Sequence, residues 1–531
     1  MIPRLTIAVF LSGILFAKNV PQFDGQSWWN HVKVLADDKM AGRETGSEGL
    51  RRASEYVVQQ LTRAGLQPAG TKGFYQPVSF TARQIVEKDS RAALVRNGSQ
   101  EPIVLGEDAY FATSIDLSPD EVSAPLVFIG YGLKIPELNL DELLGLDLKN
   151  KVVVYVSGSP SNVPSALSAH YQQSGVRWKA LHDAGAIGAI RIFNPASMDI
   201  PWSRISLNRT HVEMTLADPE FDETAGERMA LSFNPAKAEK LFSGSGHSFQ
   251  EIADLARDRK ELPRFPLAVS LKAKARVEKK KVESSNIVAK LPGSDPKLKD
   301  EYVVLSAHID HVGIGEPVDG DRIYNGAMDD GSGDGVLLDI ASALKQRPDK
   351  LRRSVLFLFV IGEEKGLLGS KYFAAKPTVD IKSMVADINI DMFLPIVPLK
   401  TLRILGLDES DLGTRAKDVA QAMKIRPQAD PEPLRNSFIR SDQYSFIRRG
   451  VPALKADVGF APGSPEQKTF KDWLTHRYHA PSDDVNQPVD LQAAGLYEQF
   501  IYRLLADVAN EDERPQWKAE SFFRRYAQQG Q

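Results

Sequence analysis

The chain has 531 residues, of which 42% are hydrophobic and 25% charged, with a formal net charge of −3 and no cysteine. That length exceeds what one hydrophobic core organises, so two or three domains are expected, and the composition excludes a chain disordered throughout. The charge balance gives no ground for a nucleic-acid partner or an anionic membrane surface. Without cysteine there are no disulfides and no thiolate metal sites, so any metal must be held by His, Asp and Glu.

In chain order, residues 1–18 read as a secretory signal: Arg4 precedes the apolar run Leu5–Ala17, which is too short to span a bilayer comfortably. The alternative is a buried N-terminal helix. No later apolar stretch is long enough to cross a membrane, so the expectation is an exported protein, periplasmic or secreted, with no stable membrane insertion once the signal is removed. Residues 27–66 read as helical. Leu50, Ala53, Tyr56, Val57, Leu61 and Ala64 recur at helical spacing, with Ser47 as N-cap and Gly65 as stop. From about residue 116, SAPLVFIGYGL, KNKVVVYVSGSP and WKALHDAGAIGAIRIFN alternate short apolar strands with small-residue helices, as in a compact α/β module ending near 275. The basic stretch LKAKARVEKKKVES at 271–284 reads as a solvated edge strand or linker. Residues 286–510 then alternate strand and helix. NIVAKL, YVVLSA, VLFLFVI, MVADINI and PALKADV are the predicted strands of a doubly wound, mostly parallel mixed sheet flanked by helices.

Ligands of open α/β sheets bind outside the carboxyl ends of the strands. There the sequence places His308, Asp310 and His311 after YVVLSA, Glu363 and Glu364 after VLFLFVI-Gly, and Asp391 after MVADINI. Asp329 and Asp330 stand before a predicted helix, and His476 and His479 lie in THRYHAPSDD. Singly, each has a bland explanation: solvated acids, a helix cap, a packed or surface histidine. Together they are costly unless a cation neutralises them, because desolvated like charges destabilise one another. Oxygen and nitrogen donors without sulfur suit zinc in a hydrolytic site. Three carboxylates among five ligands balance two divalent ions that share a bridging carboxylate. Water held between such ions loses a proton near neutral pH, and a carboxylate off the metal relays that proton to the leaving amine.

His308-Ile-Asp310, Gly326-Ala-Met-Asp329-Asp330-Gly-Ser-Gly, Glu363-Glu364, Asn389-Ile-Asp391 and Tyr478-His479-Ala-Pro481-Ser-Asp483 resemble, in that order, the zinc aminopeptidase family. That family also holds bacterial leucyl aminopeptidase, glutamate carboxypeptidase, glutaminyl cyclase and the transferrin receptor. The resemblance implies two zinc ions bridged by Asp329. Glu364 and His479 complete one ion, and His308 and Asp391 the other. It further implies Glu363 as general base, Asp310 orienting His308 from outside the ligand set, a cis bond between Asp329 and Asp330, and Tyr444 of Ser441-Asp-Gln-Tyr-Ser-Phe as an oxyanion donor. LADDKMAGRETGSEG resembles the family's opening, and 116–275 resembles an inserted protease-associated domain. Residues 19–115 and 276–515 then form one discontinuous peptidase domain, with 516–531 as a C-terminal tail.

The expected function is a dizinc exopeptidase acting on peptides, an aminopeptidase first. A glutamate-releasing carboxypeptidase comes second, with Arg435, Arg440 and Arg477 as candidates for a substrate carboxylate. A receptor-like ectodomain of the same fold is disfavoured because no ligand is lost. No G-x-S-x-G elbow or H-E-x-x-H helix occurs. His311, His476 and Asp334 are expected to be structural.

Overall fold

The computed structural model describes residues 21–113, 115, 121–198, 200–346 and 350–529. The expected signal segment, 1–18, lies outside these residues.

The larger sheet contains β1 (Tyr75–Ile85), β2 (Glu213–Leu216), β3 (Val277–Leu291), β4 (Tyr302–His308), β5 (Ser354–Val360), β6 (Met384–Asn389), β7 (Thr401–Leu405), β8 (Arg426–Gln428) and β9 (Ala453–Val458). Their order is β2–β1–β3–β5–β4–β6–β9–β7–β8, and the short Gln67–Pro68 strand pairs with β3. The central strands β5, β4, β6 and β9 run parallel, whereas β3 and β7 flank them antiparallel. Every residue of β5, β6 and β9 is buried, as strands covered on both faces require. Alternation splits these side chains between two cores. Leu305, Ala307, Phe357 and Phe359 pack with helices 26–35, 48–63, 331–345 and 491–510. Val304, Leu356 and Leu358 pack with Phe373, Tyr444, Phe446 and Phe523 on the opposite face.

All five strands predicted for 286–510 are present. The sequence reading missed β7 and β8. The short β7 hides a buried Arg403 within TLRIL, and that charge interrupts the apolar signal. Ser47 caps its helix as expected, accepting from Leu50 N at 3.1 Å. The 27–66 stretch is not one continuous helix, because Ala41 and Gly42 take positive φ between residues 35 and 48.

A second sheet of eight strands runs 99–103, 91–96, 265–274, 122–128, 152–156, 188–192, 229–233, 109–111. It therefore begins at Arg91 rather than near 116, because 91–96 is the antiparallel partner of 265–274. The basic stretch 271–284 is not a linker. It ends one strand of this sheet and opens β3, whose Val277–Ile287 portion pairs with β1 while its lysines stay exposed. Within the inserted segment, β2 leaves this second sheet and joins the edge of the larger one. The tail also packs inward: Trp517 donates to the Gly450 carbonyl at 2.8 Å, and Phe523 is buried.

Candidate metal centre

Four elements deliver the cluster to one end of the parallel strands. His308 is the last residue of β4. β6 ends at Asn389, two residues before Asp391. After β5, Gly362 adopts φ 65° and turns the chain into Glu363 and Glu364. Asp329 precedes helix 331–345, and His479 lies in the loop before helix 491–510.

His308 Nε2 lies 3.2 Å from Asp329 Oδ1 and 3.6 Å from Asp391 Oδ1. His479 Nε2 lies 3.2 Å from Asp329 Oδ2 and 3.1 Å from Glu364 Oε2. Asp329 thus presents one oxygen to each histidine, the geometry expected of a bridging carboxylate. Donor atoms of His308, Asp329 and Asp391 fall within 4.8 Å of one another, as do those of His311, Asp329 and Glu364. His311 Nε2 is buried without a hydrogen-bond partner. Buried polar atoms seldom stay unpaired, so this donor set fits divalent cations. Burial opposes ionisation of Asp329, but His308 and His479 outweigh it and hold its carboxyl well below the usual range. Glu363 shows the reverse: burial, reinforced by Asp391 and Glu364 against His308, raises its carboxyl well above that range. Glu363 therefore has a higher proton affinity than Asp329.

The surrounding residues have identifiable tasks. The Asp329–Asp330 bond is cis. Asp330 caps helix 331–345, accepting from Gly333 N at 2.8 Å, and also accepts from Met392 N at 3.1 Å and His308 N at 3.3 Å. Asp483, from the last motif, accepts from Met328 N and Asp329 N and so pins the bridging residue's backbone. Asp310 differs from expectation: its backbone carbonyl, not its carboxylate, meets His308 Nδ1 at 3.0 Å. The carboxylate instead accepts from Thr45 Oγ1 at 2.9 Å and Glu363 N at 3.3 Å, so it ties the loop of Glu363 to that of His308.

Tyr444 is not at the site. It is 1% exposed and packs on the far face of the sheet. Its hydroxyl lies 2.7 Å from His170 Nδ1 of the inserted segment. A short polar motif does not reveal which face of a helix turns inward. Tyr478 lines the cavity beside Glu363 and His479 instead, and its position directly before His479 was the available signal. His311 also sits closer to the chemistry than expected, with Nδ1 2.6 Å from Glu364 Oε1. His476 is exposed on its helix, and Asp334 is buried below the site near Arg43. Lys455, 2.9 Å from Asp391 Oδ2, was missed because it lies in the middle of its strand, away from the strand ends where site residues were sought. Arg43 is fully buried and donates to the carbonyls of Leu35, Ile309, Asn325 and Gly326. It thereby clamps the loops that follow His308 and precede Asp329.

The cavity against this cluster has a volume of about 70 Å³ and is lined by Glu363, Arg403, Arg435, Arg440, Lys455 and Tyr478 among others. The inserted segment reaches its rim, where Arg204 donates to the carbonyls of Thr475 and Tyr478.

A doubly wound sheet thus carries, at its carboxyl edge, two groups of His, Asp and Glu donors able to hold metal ions. Residues 286–505 match Peptidase family M28. Carboxypeptidase Q of Bos taurus is 23% identical over 479 residues, 90% of this chain and 84% of that protein. Aminopeptidase Y of Saccharomyces cerevisiae is 28% identical over 210 residues, 39% of this chain and 35% of that protein. Among solved structures, an aminopeptidase from Aneurinibacillus sp. strain AM-1 superposes with TM-score 0.56 at 18% identity, covering 93% of this chain and 96% of that one. A zinc aminopeptidase from Bacillus subtilis gives TM-score 0.50 at 16% identity, covering 93% and 97%. These structural likenesses establish the fold.

Proposed function

We propose that the protein is an exported exopeptidase that uses two zinc ions to hydrolyse a terminal peptide bond. The observation that carries this reading is Asp329, whose two oxygens face His308 and His479 separately, with Glu363 beside them and outside both donor groups. His308, Asp391 and Asp329 would hold one ion, and Asp329, Glu364 and His479 the other. Bound there, the ions supply Lewis-acid activation of water and of the scissile carbonyl. Glu363 takes the proton from the attacking water and returns it to the leaving amine, a task suited to a buried carboxyl whose pKa is raised. Tyr478 is placed to donate its phenolic hydrogen to the carbonyl oxygen as negative charge develops. The inserted segment, through Arg204, supports the backbone at Tyr478 and shapes access to the cavity.

The aminopeptidase reading draws support from the names of the solved relatives. A specific observation favours a carboxypeptidase as the second reading: the cationic cavity wall formed by Arg403, Arg435, Arg440 and Lys455. Export is inferred from residues 1–18 alone. Glu363→Gln tests the mechanism. The variant is expected to retain two zinc ions by elemental analysis and to lose about 10²–10⁴ in kcat. An active variant refutes the base, and a variant stripped of metal refutes its place outside the ligand set.

A further inference from the structure

Beneath the donors that follow β4 and β6 lies a chain of polar side chains that the proposed hydrolysis leaves unused. Ser306 on β4 and Asp387 and Asn389 on β6 are fully buried. Ser306 Oγ lies 2.8 Å from Asp387 Oδ1 and 2.9 Å from Asn389 Oδ1. A hydroxyl has one hydrogen, so it donates to only one of these oxygens. The polarity of the chain is fixed from its far end. Gln443 Nε2 donates to the Phe438 carbonyl at 2.7 Å, a group that can only accept. Gln443 Oε1 therefore faces Asn389 and accepts from its Nδ2 at 2.8 Å. Asn389 Oδ1 is then turned to Ser306 as an acceptor and takes the hydroxyl hydrogen. The hydrogen between Ser306 and Asp387 must come from the carboxyl. Among the described residues no cation pairs with Asp387, and its Oδ2 has no hydrogen-bond partner. Its neighbours on the adjoining strands are Val304 and Ala453. The charged group that faces it is Asp442, another buried carboxyl. Burial raises Asp387 well above the usual carboxylate range, against the bond to Ser306 and with the help of Asp442.

We infer that Asp387 carries a proton at neutral pH and, as donor to Ser306, is a positioning residue for His308 and Asp391. Side chains two residues apart on a strand share a face, so Ser306 stands on the same face of β4 as His308. Asn389 ends β6 two residues before Asp391. The chain from Asp387 through Ser306, Asn389 and Gln443 to the Phe438 carbonyl thus fastens both strand ends to the start of helix 443–447. An ionised Asp387 would leave one hydrogen for two acceptors and set two buried charges, its own and that of Asp442, against each other. The proton follows from hydrogen-bond geometry alone, whereas the positioning role rests on the metal reading above.

The test compares the zinc-loaded parent with Asp387→Asn, whose amide keeps a hydrogen for Ser306 without a charge, and with Asp387→Ala, which supplies none. The infrared spectrum of the parent minus that of Asp387→Asn at neutral pH is expected to show the carbonyl stretch of one protonated carboxyl. In the unfolded chain the same carboxyl is ionised above about 3.9, so folding takes up a proton. Relative to Asp387→Asn, the parent's unfolding constant is expected to rise about ten-fold per pH unit between about pH 5 and 7, read by urea unfolding. Zinc affinity, measured by chelator competition, is expected to stay within about two-fold in Asp387→Asn and to fall about ten-fold in Asp387→Ala. Absence of the carboxyl band overturns the proton, as does a parent that responds to pH as Asp387→Asn does. Zinc binding as weak in Asp387→Asn as in Asp387→Ala overturns the positioning role, as does parental affinity in Asp387→Ala. The infrared and pH comparisons need only Asp387→Asn, so they decide the proton even where Asp387→Ala does not fold. A parent that binds no zinc refutes the metal reading and with it the positioning role, while the infrared band decides the proton independently.

Discussion

Arg43→Met removes the cation beneath the site without touching any candidate ligand. The four bonds it breaks are to Leu35 O at 2.6 Å, Asn325 O at 2.7 Å, and Ile309 O and Gly326 O at 2.9 Å each. Hydrogen bonds from a charged donor contribute about 1.5–3 kcal/mol each, so the upper bound is roughly 6–12 kcal/mol. Water entering the space left by the guanidinium satisfies some of the carbonyls and recovers part of this, leaving an expected net loss of about 4 kcal/mol or more. Asp334 adds nothing large to the loss. Burial already raises its carboxyl to about 8 against the pull of Arg43, so it stays protonated when the arginine goes. The loops released are those between His308 and Asp329, so zinc affinity is expected to fall about ten-fold or more, as when groups supporting metal ligands are removed. Urea unfolding of the zinc-loaded protein, followed by intrinsic fluorescence, reads the first effect, and competition with a calibrated chelator reads the second. Arg43→Lys is expected to recover less than half of the stability, because an ammonium cannot span four acceptors in a plane. A loss below about 1 kcal/mol with unchanged zinc affinity would refute the clamp.

Three further outcomes are expected. Tyr478→Phe lowers kcat by about 10²-fold or more with zinc retained, whereas Tyr444→Phe leaves kcat within about two-fold; the opposite ranking would return the oxyanion role to Tyr444. Burial, aided by Arg448 and Arg525, lowers His170 to about 4 in the folded protein. Its contribution is therefore complete above the unfolded value of about 6.5 and disappears as pH falls towards 4. The loss amounts to at most about 3 kcal/mol. Thermal unfolding between pH 7.5 and 4.5 should show a steeper decline in the parent than in His170→Gln, and parallel curves would contradict this. Stripping the metal leaves the buried Asp329, Glu364 and Asp391 with only His308, His479 and Lys455 to balance them. Hydrogen exchange at Ile361–Gly366 should then quicken and return to its slow rate on adding zinc; equal protection in both states would refute that coupling.

Which residues form the cluster was legible because its signals are local. VLFLFVI and MVADINI are apolar throughout, as strands covered on both faces must be, and the acids and histidines fall where such strands end. Asp330 illustrates the limit of this legibility. A helix cap and a site residue look alike in sequence, and here one carboxylate does both by accepting from Gly333 and from Met392. The sequence by itself therefore determined the order of the strands along the chain and the types of donor at their ends. Only the tertiary structure decided what depends on long-range packing. It put Tyr444 on the far face against His170, carried β2 out of the inserted segment to the main sheet, and set Arg403 and Lys455 on one cavity wall. Each of these joins residues distant along the chain, so no local periodicity records them. Two charges inside apolar strands look like interruptions until the fold places them side by side.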